Sequence, residues 1–155
     1  YIKENNPIVI SVNFVADEPS SYAFFGNAKR YGNLKEKRVN RKIIISSNVK
    51  SDDNNDIIIN YHSLINRGYK YFENSTIMLL NLLKRINPSK ITIAGFDGFD
   101  SKREKNYADR SYQNERHVEE FEVLNKEISM MYKEIVDIMS PDCEFNLITP
   151  SIYSE

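Results

Sequence analysis

Two short stretches decide the fold: Ile43-Ile44-Ile45-Ser46-Ser47-Asn48 and Ile57-Ile58-Ile59-Asn60-Tyr61. In each stretch the apolar residues are continuous instead of alternating with polar ones. Alternation is typical of a strand with one wet face, whereas a continuous apolar run indicates a strand covered on both faces, as in a parallel sheet between helices. We therefore expect Ile43–Ile45 and Ile57–Ile59 to lie on inner strands of a parallel sheet.

Segments with strand character alternate with helical patterns along the rest of the chain. Two helices are predicted, at Ser75–Ile86 and at Glu115–Met139, each followed within two residues by a proline that stops it. The sequence predicts an α/β fold, a Rossmann-like three-layer sandwich with a mostly parallel sheet of five or six strands. The predicted strands are Ile8–Val15, Tyr22–Gly26, Lys42–Ser47, Ile57–Tyr61, Ile91–Phe96 and Glu144–Ile148.

Composition narrows the class of protein. The 155 residues are 41% hydrophobic and 28% charged, which is a globular balance, and they fit a single domain over residues 1–155. A net charge of -1 creates no field that would attract nucleic acid, and no apolar run approaches the roughly 20 residues that cross a bilayer. We expect neither nucleic acid nor membrane as a partner. The single cysteine, Cys143, favours a cytoplasmic location.

The first residues suggest a longer parent protein. The stretch from Tyr1 to Asn6 has the character of the last turn of a helix, and Pro7 then leads into a strand. We therefore expect this chain to be a C-terminal fragment of a larger protein.

Small polar residues follow most of the predicted strands. Because the carboxyl ends of parallel strands share one edge of the sheet, we expect these side chains to converge on one ligand site there. The N–H groups at Ser75 and Thr76 would meet a ligand phosphate. Tyr107, in the long polar segment after Asp97, would fold over the site and either stack on a base or bond a phosphate oxygen. The predicted ligand-binding residues are Asn13, Asn27, Asn48, Asn74, Ser75, Asp97, Gly98 and Tyr107.

Each of these residues also has a structural interpretation. Asparagine favours the turns that follow strands, Asn74-Ser75 is a good helix N-cap, and Asp97 could cap its own turn. The sequence leaves these alternatives open.

No motif identifies a reaction. The sequence contains no glycine-rich phosphate loop, no Cys-x-x-Cys and no His-Glu-x-x-His, and neither His62 nor His117 has a catalytic partner at a recognisable spacing. We predict no metal site and no cofactor, and we identify no catalytic residue.

Several stretches together resemble the C-terminal domain of 4-hydroxy-2-oxovalerate aldolases encoded among bacterial surface-polysaccharide genes. The resemblance implies a partner, an N-terminal HMG-CoA-lyase-like barrel that holds the metal and performs the aldol chemistry. It implies that this chain binds a nucleotide, a nucleotide-sugar or a sugar phosphate without itself being catalytic. Apart from the resemblance, a homodimer is a further option. The stretches are Ile8–Phe14, Phe24–Asn27 with Lys29–Tyr31, Ser46–Asn48, Asn74-Ser75, Ala94–Phe99, Asn106-Tyr107 and Leu147–Tyr153.

A more distant likeness connects the chain with sialyltransferases that use a CMP-sugar. Residues Asn13, Asn27, Ser75 and Asp97 match that family in position. This likeness implies an alternative, a glycosyltransferase-like enzyme domain with His117 or Asp97 in the active site. A structural or dimerisation module is a third interpretation.

Overall fold

The chain divides into two compact units. A computed structural model describes residues 2–16, 20–34, 42–100 and 120–154. The first unit comprises Tyr1–Ile65 and Glu73–Leu82, and the second comprises Asn66–Phe72 and Leu83–Glu155. The expectation of a single domain stays a prediction.

The first unit is built on a four-stranded parallel sheet. Its strands are β1 (Ile10–Val12), β2 (Tyr22–Phe25), β3 (Lys42–Ser46) and β4 (Ile57–Ile59), in that spatial order. The helices are α1 (Ile2–Asn5), α2 (Ala28–Gly32) and α3 (Ser75–Ile86), the last of which starts in this unit; one turn of 3-10 helix covers Tyr61–Ser63. The α/β class with a mostly parallel sheet is confirmed.

The inner strands β2 and β3 bury side chains on both faces. On one face, Phe25 and Ile45 are fully buried, and the Phe25 ring lies 6.1 Å from the Tyr31 ring of α2. On the other face lies Phe24, which points the same way as Gly26, and Gly26 approaches Met78 of α3. In β3 the side chains of Ile43, Ile44 and Ile45 are all buried, so its continuous apolar run reflects a strand covered on both faces, as predicted.

The prediction that Ile57–Ile59 forms an inner strand is wrong. Among the described strands, β4 pairs with β3 only and lies at the edge of the sheet, where Ile57 is 40% exposed and Ile58 is 57% exposed. A run of isoleucines favours a strand because β-branched side chains prefer an extended backbone. Such a run does not determine whether the strand pairs with one neighbouring strand or with two.

The second unit contains a β-α-β crossover. Strand β5 (Lys90–Ile93) pairs in parallel with β6 (Glu144–Leu147), and an ion pair of 2.8 Å joins Lys90 to Glu144. Between them runs α4 (Phe121–Met139), which buries Leu124, Ile128, Met131 and Ile135. The predicted crossover is confirmed, although residues 115–119 of the predicted helix lie outside the described ranges.

The described strands form two parallel sheets, of four and of two strands. The sequence predicted one sheet of five or six strands. That prediction is wrong for the described residues, because no hydrogen bonds between strands join the four-stranded sheet to the two-stranded one. Apolar periodicity identifies a strand, but the neighbours that a strand pairs with depend on the path of the chain in space. No helix in the described parts of the chain is both long and apolar enough to cross a membrane.

Candidate functional site

The carboxyl ends of β1 and β2 meet the beginning of α3 in the first unit. Asn13 follows β1, Gly26 follows β2, and Ser75 is the first residue of α3. The Asn13 side-chain Nδ2 donates a hydrogen bond of 2.9 Å to the Ser75 Oγ. We call these three residues the Asn13–Ser75 site, and it lies at the sheet edge where parallel sheets bind ligands.

Glycine at position 26 allows this close approach. A Cβ atom there would lie 3.0 Å from the Ser75 Oγ and 3.0 Å from the Met78 Sδ. Such distances are tighter than ordinary van der Waals contacts, so a side chain at position 26 would force the Ser75 and Met78 side chains to move by a few tenths of an ångström. Further along α3, the buried Asn81 fixes the helix by donating a 2.9 Å hydrogen bond from its side chain to the Leu64 carbonyl.

The backbone at Asn13 turns the chain away from β1. Its φ of 61° lies in the left-handed region, which asparagine tolerates better than most residues. The Asn13 N–H still donates to the Phe24 carbonyl at 2.8 Å, so the turn begins directly at the end of the pairing with β2. This geometry holds the Asn13 side chain against Ser75.

The polar groups of the Asn13–Ser75 site are only partly satisfied. The Asn13 Oδ1 is buried and has no hydrogen-bond partner among the described residues, and Ser75, which is 9% exposed, accepts the bond from Asn13. A buried acceptor without a donor costs about 1–3 kcal/mol, and such groups in native proteins need a reason.

Two of the predicted binding asparagines are helix caps. The Asn74 Oδ1 accepts hydrogen bonds from the Thr76 N–H at 3.0 Å and the Ile77 N–H at 3.1 Å. The Asn27 Oδ1 caps α2 in the same way, through the Lys29 and Arg30 N–H groups. The prediction that the Thr76 N–H is free for a ligand phosphate is wrong, because the chain's own cap already occupies that donor.

Asn48 also bonds within its own turn. Its Oδ1 accepts a 2.5 Å hydrogen bond from the Ser46 Oγ, at the fully buried end of β3, while Asn48 itself is exposed. This contact stabilises the exit from β3. Of the asparagines predicted at strand exits in the first unit, Asn13 is therefore the one whose side chain contacts another element of the unit.

Asp97 and Gly98 lie in the second unit, after β5. The Thr149 hydroxyl, after β6, accepts from the Gly95 N–H at 2.8 Å and donates to the Asp97 carboxylate at 3.4 Å. The two strand exits of this unit are thus joined by polar contacts.

Asn125 of α4 holds the segment after β5, a role that the sequence did not reveal. Its Oδ1 accepts from the Phe99 N–H at 3.0 Å, and its Nδ2 donates to the Phe99 carbonyl at 2.7 Å. The Tyr153 hydroxyl donates to the same Oδ1 at 2.9 Å, and burial raises the pKa of Tyr153. An asparagine in a long amphipathic helix gives no local signal of such a contact.

We expect Gly98→Ala to destabilise the chain by about 1–2 kcal/mol. Gly98 has a φ of 95°, a conformation that residues with a side chain rarely adopt, and a Cβ there would overlap the Ile152 side chain. Gly32→Ala is the matched control, because a Cβ at position 32 meets nothing within 4 Å. Urea unfolding of both variants checks this, and equal stabilities would contradict it.

Two residues singled out by the sequence, Tyr107 and His117, lie outside the described residues. Within the described ranges, no group of three His, Cys, Asp or Glu side chains is placed to hold a metal ion.

No family model, curated protein or solved structure matches the chain. The resemblance to the aldolase C-terminal domain therefore stays a prediction.

Proposed function

We propose that this chain is a ligand-binding domain that takes a nucleotide, a nucleotide-sugar or a sugar phosphate at the Asn13–Ser75 site. The observation that carries the proposal is the hydrogen bond between Asn13 and Ser75 at the carboxyl edge of a parallel sheet, where the Asn13 Oδ1 has no partner within the described ranges. In a larger protein the chain would serve as the C-terminal domain beside an aldolase-like barrel, without performing the aldol chemistry itself. That part of the proposal rests on the sequence resemblance alone.

The chemistry of the site favours a ligand with hydroxyl or N–H groups. The Asn13 Oδ1 accepts hydrogen bonds, and the Ser75 hydroxyl can both donate and accept. Neither side chain carries a charge, so the site recognises polar groups by direction instead of by net charge. Sugars and nucleobases present such groups at fixed angles.

We expect Asn13→Ala/Ser75→Ala to weaken ligand binding by roughly 30-fold. The double variant removes two hydrogen bonds to the ligand, each of which contributes about 1 kcal/mol net. Calorimetric titration with a panel of nucleotides, nucleotide-sugars and sugar phosphates measures this difference.

The control is Asn55→Ala/Ser154→Ala, which removes the same kinds of atoms from exposed turns. It should bind as the wild type does. If a panel member binds the wild type and the Asn13/Ser75 variant equally well, the ligand site lies elsewhere; if no panel member binds the wild type, the proposed function is wrong.

A further inference from the structure

A short irregular segment of the second unit, Asn66–Phe72, lies against α4. Each of its residues is half-buried or exposed, so the segment contributes no side chain to the hydrophobic core. Polar contacts from three consecutive residues, Tyr69, Lys70 and Tyr71, join it to the helix. We call these three residues the strap.

The partners of the strap are three glutamates in one row. Glu127 and Glu134 belong to α4, and Glu120 directly precedes the helix. They are seven residues apart, which is close to two helical turns, so they share one face at intervals of about 10 Å. We call them the glutamate row.

The middle and last glutamates of the row accept hydrogen bonds from the strap. The Tyr71 backbone N–H donates to the Glu127 Oε2 at 2.7 Å, and the Tyr69 hydroxyl donates to the Glu134 Oε1. Hydrogen bonds to a carboxylate are roughly twice as strong as those between neutral groups. The bond at Glu127, which is half-buried, is therefore the principal contact of the strap.

The first glutamate of the row makes a weaker contact. The Lys70 Nζ lies 3.7 Å from the Glu120 carboxylate, and the two side chains are 65% and 38% exposed. An ion pair this exposed contributes little, because water screens it. The Lys70 Nζ also lies 4.8 Å from the centre of the Tyr71 ring, within the strap itself.

A glycine directly before the strap has the backbone freedom of a hinge. Gly68 has a φ of 106°, and a Cβ built at this position meets nothing within 4 Å. Tertiary packing therefore does not enclose this residue, and glycine passes between positive and negative φ more easily than any other residue. A change of φ at Gly68 would move the strap away from the helix.

We infer that the strap opens and closes on α4 by a local motion about Gly68, and that the glutamate row holds it closed. Segments that contribute no core residue and are held by surface hydrogen bonds open at a lower free energy than the fold as a whole. The strap therefore opens while α4 keeps its core residues, such as Ile128, buried. The inference concerns the second unit alone and does not depend on ligand binding at the Asn13–Ser75 site.

Hydrogen exchange of single amides, followed by nuclear magnetic resonance on the whole chain, tests this motion. In the wild type the Tyr71 amide should exchange at least about tenfold faster than the Ile128 amide, yet more slowly than an unprotected amide. Glu127→Ala should speed exchange at Tyr71 by about tenfold or more. Glu134→Ala should speed it by about threefold, although Glu134 bonds Tyr69, because the strap moves as one piece.

The matched control is Glu122→Ala, the same change at an exposed position of α4 outside the glutamate row. It should leave exchange at Tyr71 within about twofold of the wild type. Urea unfolding of each variant measures the stability of the whole fold, and faster exchange at Tyr71 should exceed what any change in that stability predicts.

Three results would overturn the inference. If the Tyr71 amide exchanges as slowly as the Ile128 amide, the strap opens only when the chain unfolds. If it exchanges like an unprotected amide, the strap is not closed in solution. If Glu127→Ala speeds its exchange and Glu134→Ala does not, the contacts act separately and the glutamate row is not a single latch.

Discussion

Phe25→Ala is expected to lower the free energy of unfolding by about 3–5 kcal/mol. Phe25 is completely buried in β2, where it packs edge-on against Tyr31 of α2 at a ring distance of 6.1 Å. Truncation removes a large apolar side chain from a core shared by several elements and leaves a cavity that the rigid sheet cannot close. Urea unfolding followed by far-ultraviolet circular dichroism measures the loss.

The matched control is Phe14→Ala, the same change at an exposed position eleven residues earlier. Because 47% of the Phe14 surface is already accessible, its truncation should cost less than about 1 kcal/mol. Equal losses in the two variants would show that β2 is not an inner strand covered by α2. That result would contradict the arrangement of the first unit.

Tyr153 should make the chain unstable in alkali. Burial raises the pKa of Tyr153 above its ordinary value of 10, so the folded state retains a proton that the unfolded chain releases. The stability from this neutral phenol is fully present below pH 10 and is lost as the pH rises through the folded pKa. Over that window the free energy of unfolding should fall by about 1.4 kcal/mol for each pH unit.

Tyr153→Phe separates this effect from other titrations. At pH 7 the variant should lose about 1 kcal/mol, because the hydrogen bond to Asn125 disappears. Above pH 10 its stability should fall less steeply than that of the wild type, so the two curves converge. The pKa of Tyr61 is raised to about 12 by burial and by its hydrogen bond to Glu73, and that of Tyr69 is raised to about 12 by its hydrogen bond to Glu134 and by burial. Both residues titrate in both proteins and cancel in the difference. Parallel curves above pH 10 would show that Tyr153 ionises freely in the folded state.

Local sequence determined most of the secondary structure. Helix α3 runs from Ser75 to Ile86, as its polar start and Pro88 predicted, and each of the six strands lies within or next to its predicted range. The apolar residues that recur at spacings of three and four along α4 predicted that Leu124, Ile128, Met131 and Ile135 are buried, but Ile138, which belongs to the same stripe, is 62% exposed. These features follow from preferences of the backbone and from side-chain periodicity, which are properties of neighbouring residues.

The same local reasoning missed short or irregular elements. Helix α2 has only five residues and follows β2 directly, so it shows no periodicity; its Asn27 cap was interpreted as a ligand contact. The isoleucine run of β4 resembled that of β3, although one strand lies at the edge of the sheet and the other inside it. Identical local patterns thus occupied different environments.

The sequence predicted which residues could belong to the candidate site, but the fold decided which of them lie together. By itself, the sequence determined the class of fold, the strands and the small polar residues at their ends, including Asn13 and Ser75. Only the tertiary structure decided that Asn27, Asn48 and Asn74 bond within their own turns, and that Asn13 bonds Ser75, 62 residues away. The physical reason is that turns and caps are local backbone preferences, whereas the Asn13–Ser75 contact depends on how closely α3 approaches the strands, which is a property of tertiary packing. Gly26 contributes to that packing because a Cβ there would lie 3.0 Å from the Ser75 Oγ.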